Sequence, residues 1–267
     1  MPLTGVPKET LYTLVPHGQV ATRKWLLEQG VGTHAVDNLI KSGQLLAASR
    51  GVYKRPDTSL EWQGVVASLE RMNYPLIVGG LTALDINGYG HYVSPSDKTV
   101  VHLYGSMPQP TWLNKLNCGR KFVTHSTTKL FDSELQASTI IQPSVVMGSR
   151  QSRPAFNICA PDTAYLQVLM DVPKAVSFEF ADQLMEGLSN LSPKRLDKLL
   201  RHCKSVKVKR LFFWFAERHT HPWFAKLNSR DYKLGTGKRM LVKGGKLDLR
   251  YNITVPGNMQ GPSQPIY

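Results

Sequence analysis

Cysteine is scarce in this 267-residue chain: Cys118, Cys159 and Cys203 are far apart and odd in number. They form neither a CxxC metal pair nor an obvious disulfide framework, which fits buried thiols in a reducing cytosol. No run approaches the ~18 apolar residues needed to span a bilayer. Residues 1–10 lack a basic segment followed by an apolar core, so no secretory signal is expected and the protein reads as cytoplasmic. Acidic residues are few as well: 19 against 33 Lys and Arg, a formal net charge of +14. That field attracts polyanions, nucleic acid above all. An anionic membrane surface and a merely soluble basic protein are the alternatives.

What is present is a globular composition, 42% hydrophobic and 19% charged, at a length that suggests two compact units. The charge is uneven. Residues 191–250 hold ten Lys and seven Arg against four acids, whereas residues 1–57 hold four Lys and three Arg against four acids. The basic surface therefore belongs mainly to the C-terminal region.

The N-terminal segment reads as three short helices and a hairpin. Leu11, Leu14 and Val15 follow helical spacing up to Pro16, and a second helix is expected over Ala21–Gln29. Thr33 is the expected N-cap of a third helix ending near Ser42, with Gly43 just past it. Val36, Leu39 and Ile40 give this helix an inward face, while His34, Asp37, Asn38 and Lys41 face outward. Leu45–Ser49, Arg50-Gly51 and Val52–Arg55 read as strand, turn, strand. That order is the order of a winged helix-turn-helix, whose third helix enters the major groove. Thr33, His34, Asp37, Asn38 and Lys41 are then the candidate base readers: Asn suits adenine, Lys suits guanine or phosphate, and Asp accepts from a cytosine amino group. Arg23, Lys24, Arg50, Lys54 and Arg55 are the candidate phosphate contacts. Winged helices also serve as protein-interaction modules.

Leu60–Met72 reads as a connecting or domain-opening helix. A mixture of strands and short helices follows, including strands over Leu76–Val78, Thr99–Tyr104 and Lys121–Thr124 and extended segments over Leu135–Met147. From Pro161 the chain becomes helical: Asp162–Met170, Phe178–Leu188, and a helix opened by Ser192-Pro193, an N-cap followed by proline in the first turn. Between Lys194 and Arg210 stand eight basic residues and one acid, Asp197. Lys194, Arg195, Lys198, Arg201, Lys204, Lys207, Lys209 and Arg210 thus form a candidate phosphate-tracking patch, joined by Lys238 and Arg239. Alternation from Leu247 to Val255 predicts a half-buried strand paired through Lys243–Lys246 with residues 239–242. Gly257–Tyr267 reads as a flexible tail.

Enzymatic motifs fail one by one. Gly79-Gly80 lacks the paired carboxylates of a nucleotidyltransferase. Gly235-Thr236-Gly237-Lys238-Arg239 lacks the first glycine and the hydroxyl of a P-loop and precedes a strand. His202, His219 and His221 have no companion ligands at metal spacing. No nucleophile motif appears. Neither catalysis, metal nor cofactor is expected.

The chain resembles the AbiEi-family antitoxins of bacterial type IV toxin–antitoxin systems. The N-terminal match is Leu39-Ile40-Lys41-Ser42-Gly43-Gln44-Leu45 with Arg50-Gly51-Val52-Tyr53. The C-terminal match is Ala160-Pro161-Asp162-Thr163-Ala164, Leu199–Cys203, Val206–Leu211, Leu234–Arg239 and Tyr251–Pro256. The resemblance implies an α+β protein with an N-terminal winged helix-turn-helix (1–57), a connecting helix (58–72), a larger mixed α/β antitoxin domain (73–256) and a tail (257–267). It implies binding to double-stranded DNA at inverted repeats of its own promoter, autorepression, and action against a nucleotidyltransferase toxin without a stable complex. The alternative is a winged-helix interaction adaptor or a general transcription regulator with no toxin link.

Overall fold

A computed structural model describes residues 7–90, 99–135, 137–143 and 155–259. Residues 136 and 144–147 of the extended segment expected over Leu135–Met147, and residues 260–267 of the expected tail, lie outside them. The fold is α+β, as expected. Two compact units divide the chain. The first takes the described residues up to 78 with 99–125, 143 and 155–157; the second takes 79–90, 126–135, 137–142 and 158–259.

The first unit opens with α1 (Lys8–Leu14), β1 (Ala21–Thr22), α2 (Arg23–Glu28), α3 (Thr33–Lys41), β2 (Leu46–Ser49) and β3 (Val52–Lys54). Helix, helix and hairpin follow the expected order, but three details differ. Ala21 and Thr22 are not helical: they pair antiparallel with Tyr53 and Val52, completing a sheet of order β1-β3-β2. The Thr22 side chain then caps α2 by accepting from the Trp25 amide. Gly32, not Thr33, is the N-cap of α3, with no side-chain bond there. The hairpin turns at Arg50-Gly51, where Gly51 has φ +72° and its carbonyl accepts from the Arg23 amide at 2.9 Å. That left-handed conformation is one glycine adopts at no steric cost.

Helix α4 (Trp62–Arg71) is part of this unit's core, not a tether. Gly64 lies so close to Gly18 that a Cβ would stand 1.9 Å from the Gly18 carbonyl oxygen. Ser68 Oγ accepts from the Val20 amide at 2.9 Å. Arg71 donates to the carbonyls of Leu14 and, at 2.7 Å, Val20, and to Gln19 Oε1 at 3.0 Å, with its guanidinium 4.4 Å from the Trp25 ring centre. One half-buried cation thus holds the end of α1 and the start of β1 against α4. Further along, β4 (Leu76–Val78) pairs antiparallel with β5 (Val100–Gly105), which neighbours β6 (Lys121–Ser126). Asn114, in a 3₁₀ turn, bonds both backbone groups of Phe122.

The second unit contains α5 (Gly80–Leu84), a π-turn at Asp85–Tyr89, α6 (Ala137–Ile140), β7 (Ile141–Pro143) beside β8 (Asn157–Cys159), and then α7 (Pro161–Asp171), α8 (Phe178–Gly187), α9 (Pro193–His202) and α10 (Val206–His219). Helix α7 packs on α5, α8, α9 and α10. Buried Gln167 ties it to α5 by accepting from the Gly80 amide at 2.8 Å and donating to Cys159 Sγ. Ser192 and Ser205 cap α9 and α10 by accepting from Arg195 and Val208. Every residue from Val208 to Glu217 is buried, so α10 is enclosed on all sides. Its aromatic run packs against Phe178, Trp223, Tyr232 and Tyr251.

The terminal strand is a correction. In place of one strand over Leu247–Val255 there are two, β9 (Lys246–Asp248) and β10 (Ile253–Val255), paired with each other. Asp248 Oδ1 accepts from the Tyr251 amide and Asn252 adopts φ +52°, which turns the chain back after three residues. Leu249 is consequently 69% exposed. Residues 239–242 contribute a single parallel bridge, Arg239 to Ile253, in place of a hairpin. Among the described residues no helix is long and apolar enough to cross a membrane.

Candidate nucleic-acid interface

In the first unit, Ala35, Val36 and Leu39 of α3 are buried, and Thr33, His34, Asn38 and Lys41 are exposed. Spacing of three and four residues puts these four on one outward stripe. Asp37 shares the stripe but is engaged: its Oδ1 accepts from Arg23 Nη1 at 2.8 Å, and the guanidinium holds the carboxyl below its ordinary range. This pair neutralises the one acid on the face and takes up Arg23. Arg50 is exposed at the hairpin tip, and Lys24 is exposed 3.8 Å from Glu28. Lys54 donates to the Thr58 carbonyl, and Arg55 pairs with Asp57 at 2.8 Å while lying over Tyr12. The hairpin's return strand therefore spends its cations on the first unit's own structure.

The basic stretch of the second unit is divided likewise. Lys194, Lys198 and Lys204 are exposed. Arg195 pairs with Asp162 at 3.4 Å, and Arg201 pairs with Asp197. Asp162 is itself 1% exposed, and burial pushes its carboxyl up to about 6 in spite of Arg195. Lys207 donates to the carbonyls of Met170 and Val172. Lys209 is 4% and Arg210 1% exposed, so neither presents its side chain on a surface. Arg210 Nε donates to Leu234 O at 2.7 Å, and Nη1 donates to Gly237 O at 2.6 Å and Asn252 O at 3.0 Å. Lys238 and Arg239 are exposed. The candidate histidines are structural: His202 Nδ1 lies 2.9 Å from Asp132, His219 Nε2 lies 2.9 Å from Asp182, which also receives Arg218, and His221 bonds Met185 O.

Sequence reasoning missed Arg71 and Ser68, because a cation or hydroxyl on an otherwise apolar helix reads as a solvated position. It missed Arg210 as a scaffold for the same reason.

No curated protein matches the chain. The crystal structure of the RV2827C protein from Mycobacterium tuberculosis is similar at 14% identity over 88% of this chain and 85% of that one, with a TM-score of 0.49. The family described as "Transcriptional regulator, AbiEi antitoxin N-terminal domain" matches residues 7–95. That described as "Transcriptional regulator, AbiEi antitoxin, Type IV TA system" matches residues 98–256. Together the two matches span nearly all of the sequence, and the chain belongs to the AbiEi antitoxin family of type IV toxin–antitoxin transcriptional regulators.

Proposed function

We propose that this protein binds the inverted repeats of its own promoter through the first unit, used as a winged helix-turn-helix, represses its operon by occluding it, and counteracts a nucleotidyltransferase toxin without a stable complex. The observation that carries the DNA reading is α3: a buried apolar face backed by an outward stripe of Thr33, His34, Asn38 and Lys41, with exposed Arg50 at the tip of the adjacent hairpin. Asn38 and Lys41 are the base readers in this reading, suited to adenine and guanine edges. Arg50 and Lys24 hold phosphates, and Arg23 keeps Asp37 neutralised and in place. Lys194 and Lys198 on α9, with Lys204 just past its end, add sequence-independent backbone contacts. The antitoxin part rests on family membership.

The test is a salt titration of binding to the DNA upstream of the gene against scrambled DNA of equal length. Preference for the upstream DNA that survives near-physiological salt supports the autorepressor. Asn38→Ala is expected to relax operator discrimination by ~1–3 kcal/mol, whereas Arg50→Gln weakens both DNAs alike. Equal binding to both DNAs, vanishing with salt, puts the interaction-adaptor reading ahead.

A further inference from the structure

The Arg210 guanidinium is enclosed and held by three backbone carbonyls, and among the described residues no carboxylate pairs with it. Carbonyl dipoles offset part of the desolvation of a buried cation but leave its charge uncompensated. Its surroundings add to that charge. The first turn of α10 carries no acid, although a helix N-terminus favours one. Arg239 lies near enough to Arg210 and Lys207 to disfavour their charged forms, as Lys174 does for Lys207, with Asp171 the one acid acting the other way.

The loop over this cation has an imposed orientation. A trans peptide is planar, with C=O and N–H pointing to opposite sides. Leu234 and Gly237 turn their carbonyls down onto Arg210, so the amides of Gly235 and Lys238, in the same two peptide planes, point away from it. Neither amide donates a hydrogen bond among the described residues, and residues 235–239 are exposed. Gly235 takes φ +68° beside the side chain of Val206, which sets the loop against the first turn of α10. Outward amides without a hydrogen-bond partner, beside exposed cationic side chains, are donors that an oxyanion can take up.

We propose that this loop is a phosphate-binding site, in which the Gly235 and Lys238 amides and the side chains of Lys238 and Arg239 hold a phosphate oxyanion over the buried Arg210. Every group belongs to the second unit, so the proposal stands independently of operator reading by α3. The phosphate is a diester of a nucleic-acid backbone or a monoester of a small nucleotide; both present the same oxyanion.

The test is an amide NMR titration of the full chain with inorganic phosphate, against chloride at equal ionic strength. Saturable shifts centred on Gly235 and Lys238, seen with phosphate and not with chloride, are expected. Lys238→Gln, at an exposed position, should weaken phosphate binding roughly three-fold, the effect of one surface charge. Arg210→Lys keeps the charge but loses the fork that holds the carbonyls, and should abolish the saturable shifts in a variant whose circular dichroism is native. If that variant does not fold, Lys238→Gln and Arg239→Gln carry the test. AMP and a scrambled DNA duplex, titrated separately, identify the source by which saturates the two amides at lower concentration. Identical responses to phosphate and chloride, or shifts that never saturate, overturn the proposal, and Asn38→Ala operator binding would be untouched by that result.

Discussion

Replacing Arg71 by Met removes the fork that joins α1 and β1 to α4 while keeping a long apolar stem over Trp25. Three acceptors lose their donor: the carbonyls of Leu14 and Val20, and Gln19 Oε1. Val20 is fully buried, so its carbonyl has no water to turn to. An orphaned buried acceptor costs about 1–3 kcal/mol, and each bond from a charged donor contributes about 1.5–3. Against this stands the desolvation of the guanidinium, which burial pushes down to about 10 and which the variant no longer suffers. The net loss should be about 2–4 kcal/mol, or roughly 5–15 °C in Tm. Urea unfolding followed by tryptophan fluorescence measures it. Arg71→Lys should recover part of the loss, because an ammonium reaches some of these acceptors but not with a planar fork. An Arg71→Met protein within about 0.5 kcal/mol of the parent, the range of ordinary surface substitutions, would refute the idea that this cation holds the N-terminal elements together.

Other consequences follow from the same contacts. Gly64→Ala drives a methyl against the Gly18 carbonyl at 1.9 Å, so α4 must move off the 15–20 segment at a cost of about 2–3 kcal/mol or more; a variant with parental Tm would contradict that packing. Asp162 has a folded value of about 6 against an unfolded value near 3.8. The folded state therefore binds the extra proton between those values, so stability is favoured below pH ~4 and lost as pH rises through 6, by about 3 kcal/mol in all. Carboxyl NMR should find this titration, and Arg195→Gln should move it higher still. The Cys159 and Cys203 thiols are buried and pushed up to about 12 and 11, so both should resist iodoacetamide at pH 8 until urea is added; prompt native alkylation of either would count against their enclosure. Changing Lys194, Lys198 and Lys204 together to Gln should flatten the salt slope of DNA binding by no more than about 3, at roughly 0.9 per phosphate contact; an unchanged slope would remove α9 from the interface.

Local signals made much of the fold legible. Ser192-Pro193 placed a helix start, Gly43 marked an end, and the 3.6-residue period gave the two faces of α3. What escaped depended on partners distant in sequence. Strand β1 is two residues long and exists because β3 pairs with it, so Ala21 and Thr22 carry no signal of their own. Leu247, Leu249 and Tyr251 alternate as a strand should, but Asp248 offers its carboxylate to the Tyr251 amide, and the backbone takes that turn before the alternation can continue. Residues Trp62–Arg71 showed a clear apolar stripe, yet only the approach of Gly64 to Gly18 shows that the helix closes the N-terminal core.

The candidate interface was legible in kind and not in detail, and the reason is the same for each misread residue. Counting cations weighs every Lys and Arg equally, whereas the fold uses them in two ways. Lys194, Lys198, Arg50 and Lys41 extend into solvent and are available to a polyanion. Arg23, Arg55, Arg195 and Arg201 are matched with carboxylates, while Arg71, Lys207 and Arg210 are matched with carbonyls that ended helices and turns leave without donors. Arginine dominates the internal class because its planar fork bonds two or three acceptors at once, and lysine dominates the exposed class because a strongly hydrated ammonium stays in water. In a basic stretch of this chain the choice between Arg and Lys therefore already goes some way to separate scaffold from surface, with Lys54, Lys207, Lys209, Arg50 and Arg239 as exceptions that only the tertiary structure reveals.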